Sequence, residues 1–362
     1  MGREILELYS DYLLYSTRQT TATGLSDILD GEVSHDKITR FLSLEDLDEK
    51  YLWKKAKKLV RAYEDESACL IFDDTVIEKP YMDEDAIICW HFDSKEGKAV
   101  KGINLLTAFY NSEKSDQILR VPIGYRVIAK TEEYTDEKSG EQKRRSPITK
   151  NEMMQEMIKR QIQNQVKFRY ILADSWFSSA ETMKFIEKRK KTFIFELKCN
   201  RLAAFSEKQR NQGLFERIDE AIVPEEKPVK VWIKDLQFPL LLFKQVFRNK
   251  DGSTGERFLV SNDLALADDQ FITLYKKRWS VEEYHKSLKQ NASIGKSPAH
   301  TERTQSNHIF SSIYAYVKLE KIKLSTNANH FSLKAKIYMA SIKAAMVEFQ
   351  VLWENSRNVV FA

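Results

Sequence analysis

The chain has 362 residues, 42% of them hydrophobic, which is ample for a large core and for more than one folding unit. Its formal charge is a modest +5, and its three cysteines (Cys69, Cys89 and Cys199) are widely separated and odd in number. No apolar run reaches membrane-spanning length and no signal peptide opens the chain, so a disulfide framework, a Cys-rich zinc module and a membrane protein are excluded, and a soluble protein of a reducing cytoplasm is expected.

Residues 1–66 read as a helical unit. Ile5, Leu6, Leu8, Tyr12 and Leu13 recur at helical spacing in the first 18 residues. Two short helices come next, over 22–29 and 35–42, with a Gly-containing break at 30–34. Ser34 as an N-cap and outward Lys37, Thr39 and Arg40 suit a helix-turn-helix, although two short helices about a glycine also occur in any small helical bundle. A linking helix is predicted over 47–64.

An apolar run over 67–72 then ends in Asp73-Asp74-Thr75, as a buried central strand would. Strands are predicted over 102–110 and 118–128, with 86–92 as an optional further strand, a loop at 93–99 and a turn at 111–116. The charged segment 131–145 reads as an exposed loop, and a helix runs from Ser146 to about 166. The short apolar strand beginning at Tyr170 ends in Asp174, a helix occupies 179–190, and another strand 192–198. Between 200 and 257 lie strands at 229–233 and 239–247 with a turn at 250–255, and 258–262 returns as a strand. Asp268 or Asp269 caps the next helix, and the remainder of the chain is helical.

Three strands, helix, strand, helix, strand is the order of an RNase H-like fold, and it places Asp73 on the first strand and Asp174 at the end of the fourth. The stretch 275–289 contains no Gly or Pro and reads as one helix. At about 100° per residue, Tyr275, Arg278, Glu282 and Lys289 share a roughly 60° arc, while Leu274, Val281 and Leu288 form a separate apolar stripe. Taken alone, that is an ordinary amphipathic helix.

The spacing Tyr, two residues, Arg, three residues, Glu, six residues, Lys resembles the signature of DDE transposases of the insertion-sequence-four family, the bacterial cut-and-paste elements. The resemblance spans about 67–310. It implies that Asp73, Asp174 and Glu282 are catalytic and hold metal, that Tyr275, Arg278 and Lys289 engage phosphates at the transposon end, and that a β-rich insertion precedes the catalytic helix. The implied architecture is a mixed five-stranded RNase H-like core, 67–199 and 258–310, interrupted by the insertion at 200–257. Helical regions at 1–66 and 311–362 flank it.

Three carboxylates without a Cys or His cluster are hard oxygen ligands suited to Mg²⁺ or Mn²⁺. Strand alternation sends Asp73 and Asp74 to opposite faces, so only one can join Asp174 and Glu282. The family pattern favours Asp73, with Asp74 as the alternative. Trp279 reads as core packing or as an aromatic against an extruded base, and Trp232 in the insertion as core or as a DNA brace. His285, His300 and His308 are expected to satisfy local hydrogen bonds. Asn307-His308 and Thr304 are further candidates for DNA-backbone contact.

Charge distribution agrees with a polyanionic partner: residues 276–336 carry twelve Lys or Arg against four Glu. The expected partners are double-stranded DNA, namely terminal inverted repeats and target, and a second copy assembled on that DNA. Nucleoid association while bound is part of the same reading. Two other readings use the same residues: an RNase H-like nuclease that cuts without joining strands, and a transposase-derived DNA-binding protein that no longer catalyses.

Overall fold

The computed structural model describes residues 2–93, 97–137, 139–248 and 252–356. Four helices open the chain: α1 (Gly2–Tyr15), α2 (Ala22–Ile28), α3 (His35–Leu44) and α4 (Glu49–Tyr63). Strands β1 (Cys69–Glu78), β2 (Ile88–Asp93), β3 (Lys98–Lys114) and β4 (Gln117–Val127) come after them, then the small pair β5 (Glu132–Thr135) and β6 (Gln142–Arg145). Next come α5 (Lys150–Gln163), β7 (Tyr170–Ala173), α6 (Ala180–Glu187) and β8 (Thr192–Leu197). The segment after β8 holds β9 (Leu202–Ala204), α7 (Glu207–Asn211), β10 (Glu216–Arg217), β11 (Val229–Ile233), β12 (Leu240–Arg248) and β13 (Thr254–Ser261). Helices α8 (Asp268–Lys276), α9 (Trp279–Asn291), α10 (Glu302–Thr326) and α11 (His330–Ser356) complete the described chain.

The chain divides into two compact units, one formed by residues 49–285 and the other by 1–48 together with 286–362. Helix α4, grouped with the N-terminal unit from sequence, belongs to the unit that contains the sheet.

In the sheet unit, β1 is central. Cys69, Leu70, Ile71 and Phe72 are all fully buried, as expected of a central strand whose side chains on both faces are apolar. β1 pairs antiparallel with β3 and parallel with β7, β7 pairs parallel with β8, and β4 pairs antiparallel with β3. The resulting order β4-β3-β1-β7-β8, with flanking helices, is consistent with an RNase H-like fold. Leu52, Ala56 and Val60, one per turn of α4, are fully buried against this sheet. Thr149 starts α5 with a capping box, its hydroxyl accepting from the Glu152 N–H while the Glu152 carboxylate accepts from the Thr149 N–H.

Several predicted elements differ. β1 does not end at Phe72 but runs on to Glu78, because Asp73, Asp74 and Thr75 keep pairing with Thr107, Leu106 and Leu105 of β3. Within 131–145, of which residue 138 lies outside the described residues, β5 and β6 pair as antiparallel strands rather than leaving a plain loop. The strands after β8 do not stand apart: β11, β12 and β13 continue the same sheet through the β13–β8 pairing. Residues 94–96 of the expected loop at 93–99, and 250 and 251 of the expected turn at 250–255, lie outside the described residues.

The stretch 275–289 is not one helix. α8 ends at Lys276 and α9 starts at Trp279. At the junction the N–H groups of Lys277, Arg278, Ser280 and Val281 donate to carbonyls three residues back, which tightens the chain out of α geometry. The Ser280 hydroxyl donates to the Lys277 carbonyl at 2.6 Å and accepts from Asn111 at 3.0 Å. A side chain that bonds nearby backbone in this way competes with the helix ladder.

In the helical unit, α10 is buried along most of its length, including His308 and Asn307. The Tyr9 hydroxyl bonds His308 Nδ1 at 2.9 Å, and His308 Nε2 faces the Ser293 and Ile294 carbonyls at 3.1 Å each. Asn307 donates to the carbonyls of Leu42 and Glu45 and accepts from the Leu47 N–H. Both side chains hold helices together, so neither is available for DNA contact. Lys37, Thr39 and Arg40 of α3 are exposed, while Ser34 at its N-cap makes no side-chain capping bond. No described helix is long and apolar enough to cross a membrane.

Candidate active site

Phe72 of β1 pairs with Ala173 of β7 in parallel register. The next residues, Asp73 and Asp174, therefore leave neighbouring strands side by side, at a strand spacing of about 4.8 Å. Asp73 Oδ2 lies 3.9 Å from Arg278 Nη1 and 3.9 Å from His285 Nδ1. Arg278 Nη2 in turn donates to Glu282 Oε1 at 2.9 Å. Arg278 and Glu282 are 12% and 18% exposed at the side chain, so this is a partly buried cluster rather than a solvated helix edge.

Asp74 faces elsewhere, as alternation requires. Its Oδ2 accepts from Lys150 Nζ at 2.7 Å and from Asn104 Nδ2 at 2.8 Å. Asp73 lacks such close donors, and burial pushes its pKa up to about 7; Arg278 pulls it down, while Asp174, Asp74 and Glu282 push it up. Burial raises the Asp174 pKa as well, partly offset by the Trp176 N–H, which donates to its Oδ1 at 2.9 Å, and by Arg278. The carboxylates thus sense one another electrostatically.

Tyr275 is not on an exposed edge with Arg278. It is 4% exposed on α8, and its hydroxyl donates to Glu196 Oε2 of β8 at 3.2 Å. Glu196 also meets Arg257 Nε at 3.3 Å, and the guanidinium carbons of Arg257 and Arg278 stand 5.6 and 5.7 Å from the Tyr275 ring centroid. Stacking on the ring helps fix the planar Arg278 head where it meets the carboxylates.

Trp279 is 60% exposed, which overturns core packing for it. Trp232 is only 7% exposed, so it is a core residue of the extended sheet and cannot brace DNA. Lys289 is exposed on α9, two helical turns beyond Glu282. Glu196, Arg257 and Lys150 were not singled out from sequence, since each belongs to the cluster only through strand pairing or helix docking. His285 was visible, one turn beyond Glu282, but its nearness to Asp73 was not.

Two family models match the chain. Residues 2–213, more than half of its length, match the DDE superfamily endonuclease model. The chain belongs to the DDE superfamily of endonucleases. Residues 140–318, which include Asp174 and Glu282, match the transposase DDE domain, so this endonuclease is a DDE transposase. No curated protein matches it.

Members of the DDE superfamily depend on divalent metal. In this transposase the donor chemistry fits: Asp73, Asp174 and Glu282 offer hard oxygen ligands, and a nearby cation would offset the burial, and the neighbouring acids, that raise the Asp73 pKa. Among the described residues no three His, Cys, Asp or Glu side chains form a group tight enough to grip one ion. Arg278 brings positive charge to both Asp73 and Glu282.

Proposed function

We propose that this DDE endonuclease is an insertion-sequence-four-type transposase that cleaves the ends of its element and transfers the strands to target DNA. The observation that carries the reading is the linkage of Asp73, side by side with Asp174, to Glu282 through Arg278. Asp73, Asp174 and Glu282 would hold Mg²⁺ or Mn²⁺. When bound, the ions supply activation of a water or 3′-hydroxyl and stabilisation of the leaving oxygen in an in-line displacement at phosphorus.

The chain's own groups do the positioning. Arg278 offers a planar fork to a phosphate oxygen, and Tyr275 holds that fork in place rather than reaching DNA itself. Lys289 offers a point charge and exposed Trp279 an aromatic face to DNA. Lys37, Thr39 and Arg40 on α3 read duplex DNA in the manner of a recognition helix. Cutting two ends together calls for two copies assembled on the DNA.

The test is an assay with duplexes carrying the terminal inverted repeats that flank the reading frame, incubated with Mg²⁺ and a target plasmid. Cut ends joined to target are expected, and Asp73→Asn should yield neither product while still binding DNA. Cutting without joining would replace this reading with that of a nuclease. Cleavage that persists in chelator would overturn it.

A further inference from the structure

Trp176 lies two residues past Asp174, in the connection between β7 and α6, and is 57% exposed. Its position is tied to the carboxylate site by main-chain bonds: its N–H donates to Asp174 Oδ1 at 2.9 Å, and its carbonyl accepts from Asn151 Nδ2 of α5 at 3.5 Å. Two ammonium groups from other elements flank the ring. Lys150 Nζ at the start of α5 lies 5.4 Å from the indole centroid, and Lys198 Nζ just past β8 lies 5.5 Å from it. An exposed indole is thus held beside Asp174 by backbone rather than by core packing, with cations from both sides of the sequence around it.

An apolar protein partner would gain little from a single aromatic ringed by ammonium groups. A nucleotide matches both features, because a base has a flat π face and its phosphates are anionic. Base faces inside a duplex are covered by their neighbours, so only an unpaired base could stack here.

We propose that Trp176, Lys150 and Lys198 form a nucleotide-stacking site that receives an unpaired base of the DNA strand beside the phosphate under attack, the two lysines taking its flanking phosphates. The inference rests on the proposed transposase reading, since Asp174 is what places the strand. It adds a site that the Tyr-Arg-Glu-Lys spacing does not contain. Lys150 then has two duties, its bond to Asp74 at 2.7 Å and its place beside the indole.

The experiment uses the full chain without divalent metal and compares its affinity for a blunt duplex with that for the same duplex carrying a short single-stranded thymidine tail. The wild type should prefer the tailed duplex. Trp176→Ala should lose that preference by roughly tenfold, the scale of one base-aromatic stack. Trp176→Phe should keep most of it, and both variants should bind the blunt duplex as the wild type does. A Trp176→Ala protein that keeps the tail preference, or one that loses blunt and tailed binding equally, overturns the proposal. Asp174→Asn, which should lose cleavage, serves as the separate check: tail preference retained with cleavage unaffected would fault the catalytic reading and not the stacking site.

Discussion

Arg278 Nη1 stands 3.9 Å from Asp73 Oδ2, a guanidinium facing a carboxylate that burial has made a weak acid. The same guanidinium bonds Glu282, so one cation partly compensates two acids from different elements. In Arg278→Ala both acids lose that compensation, and a partly buried charge without its partner costs on the order of 1–3 kcal/mol. Metal-free Arg278→Ala should therefore melt several degrees below the wild type. Lys289→Ala, at an exposed position, should change stability by less than about 0.5 kcal/mol. Both should impair end processing. Thermal melts alongside cleavage assays check this, and equal melting of the two variants would count against the compensating role of Arg278.

The pH dependence of the metal-free protein has a definite sign. Asp73 titrates near 7 in the folded protein and near the ordinary carboxylate value of about 3.9 when unfolded. The folded state holds the extra proton in that window, so stability should fall as pH rises from about 4 to 7 and stay reduced above it. At about 1.4 kcal/mol per unit, the effect is on the order of 2–4 kcal/mol. Asp73→Asn should thus raise the metal-free melting temperature at pH 8 and leave it nearly unchanged at pH 4. Urea titrations at the two pH values measure it, and a wild type as stable at pH 8 as at pH 4 would contradict the assignment.

Asp73 and Asp74 should separate cleanly in catalysis. Asp73 faces Arg278 and His285, whereas Asp74 is taken up by Lys150 and Asn104. Asp73→Asn should abolish metal-dependent cutting with folding and DNA binding retained. Asp74→Asn should leave measurable cutting, lowered severalfold through Lys150. The reverse pattern in a gel-based cleavage assay would move the catalytic role to Asp74.

Salt should weaken DNA binding steeply. With twelve Lys or Arg against four Glu over residues 276–336, several phosphates should be neutralised on binding. A slope of log affinity against log salt of about −4 or steeper is expected from fluorescence anisotropy, since each phosphate contact adds about −0.9. A nearly flat plot would mean that these charges face solvent only.

Much of the site was legible in the chain itself. Fully apolar runs that stop at acids marked β1 and β7, because a strand buried on both faces admits no polar residue until it reaches the site. The Tyr, Arg, Glu and Lys spacing marked Glu282 as the candidate third acid, which the structure links to Arg278. What the sequence could not decide was which way side chains face once elements dock. Nothing local breaks 275–289, a run without Gly or Pro. The break between α8 and α9 goes with Tyr275 sinking toward Glu196 and with Ser280 bonding Asn111 and the Lys277 carbonyl. Trp232 took the core place expected of it while Trp279 did not, for one reason: period and composition set that an aromatic is present, while the long-range pairing of β11 and the docking of α9 set whether water reaches it. Parity alone could say that Asp73 and Asp74 diverge. Only the approach of Arg278 and Lys150, brought there by contacts distant in sequence, decided which cation each acid faces.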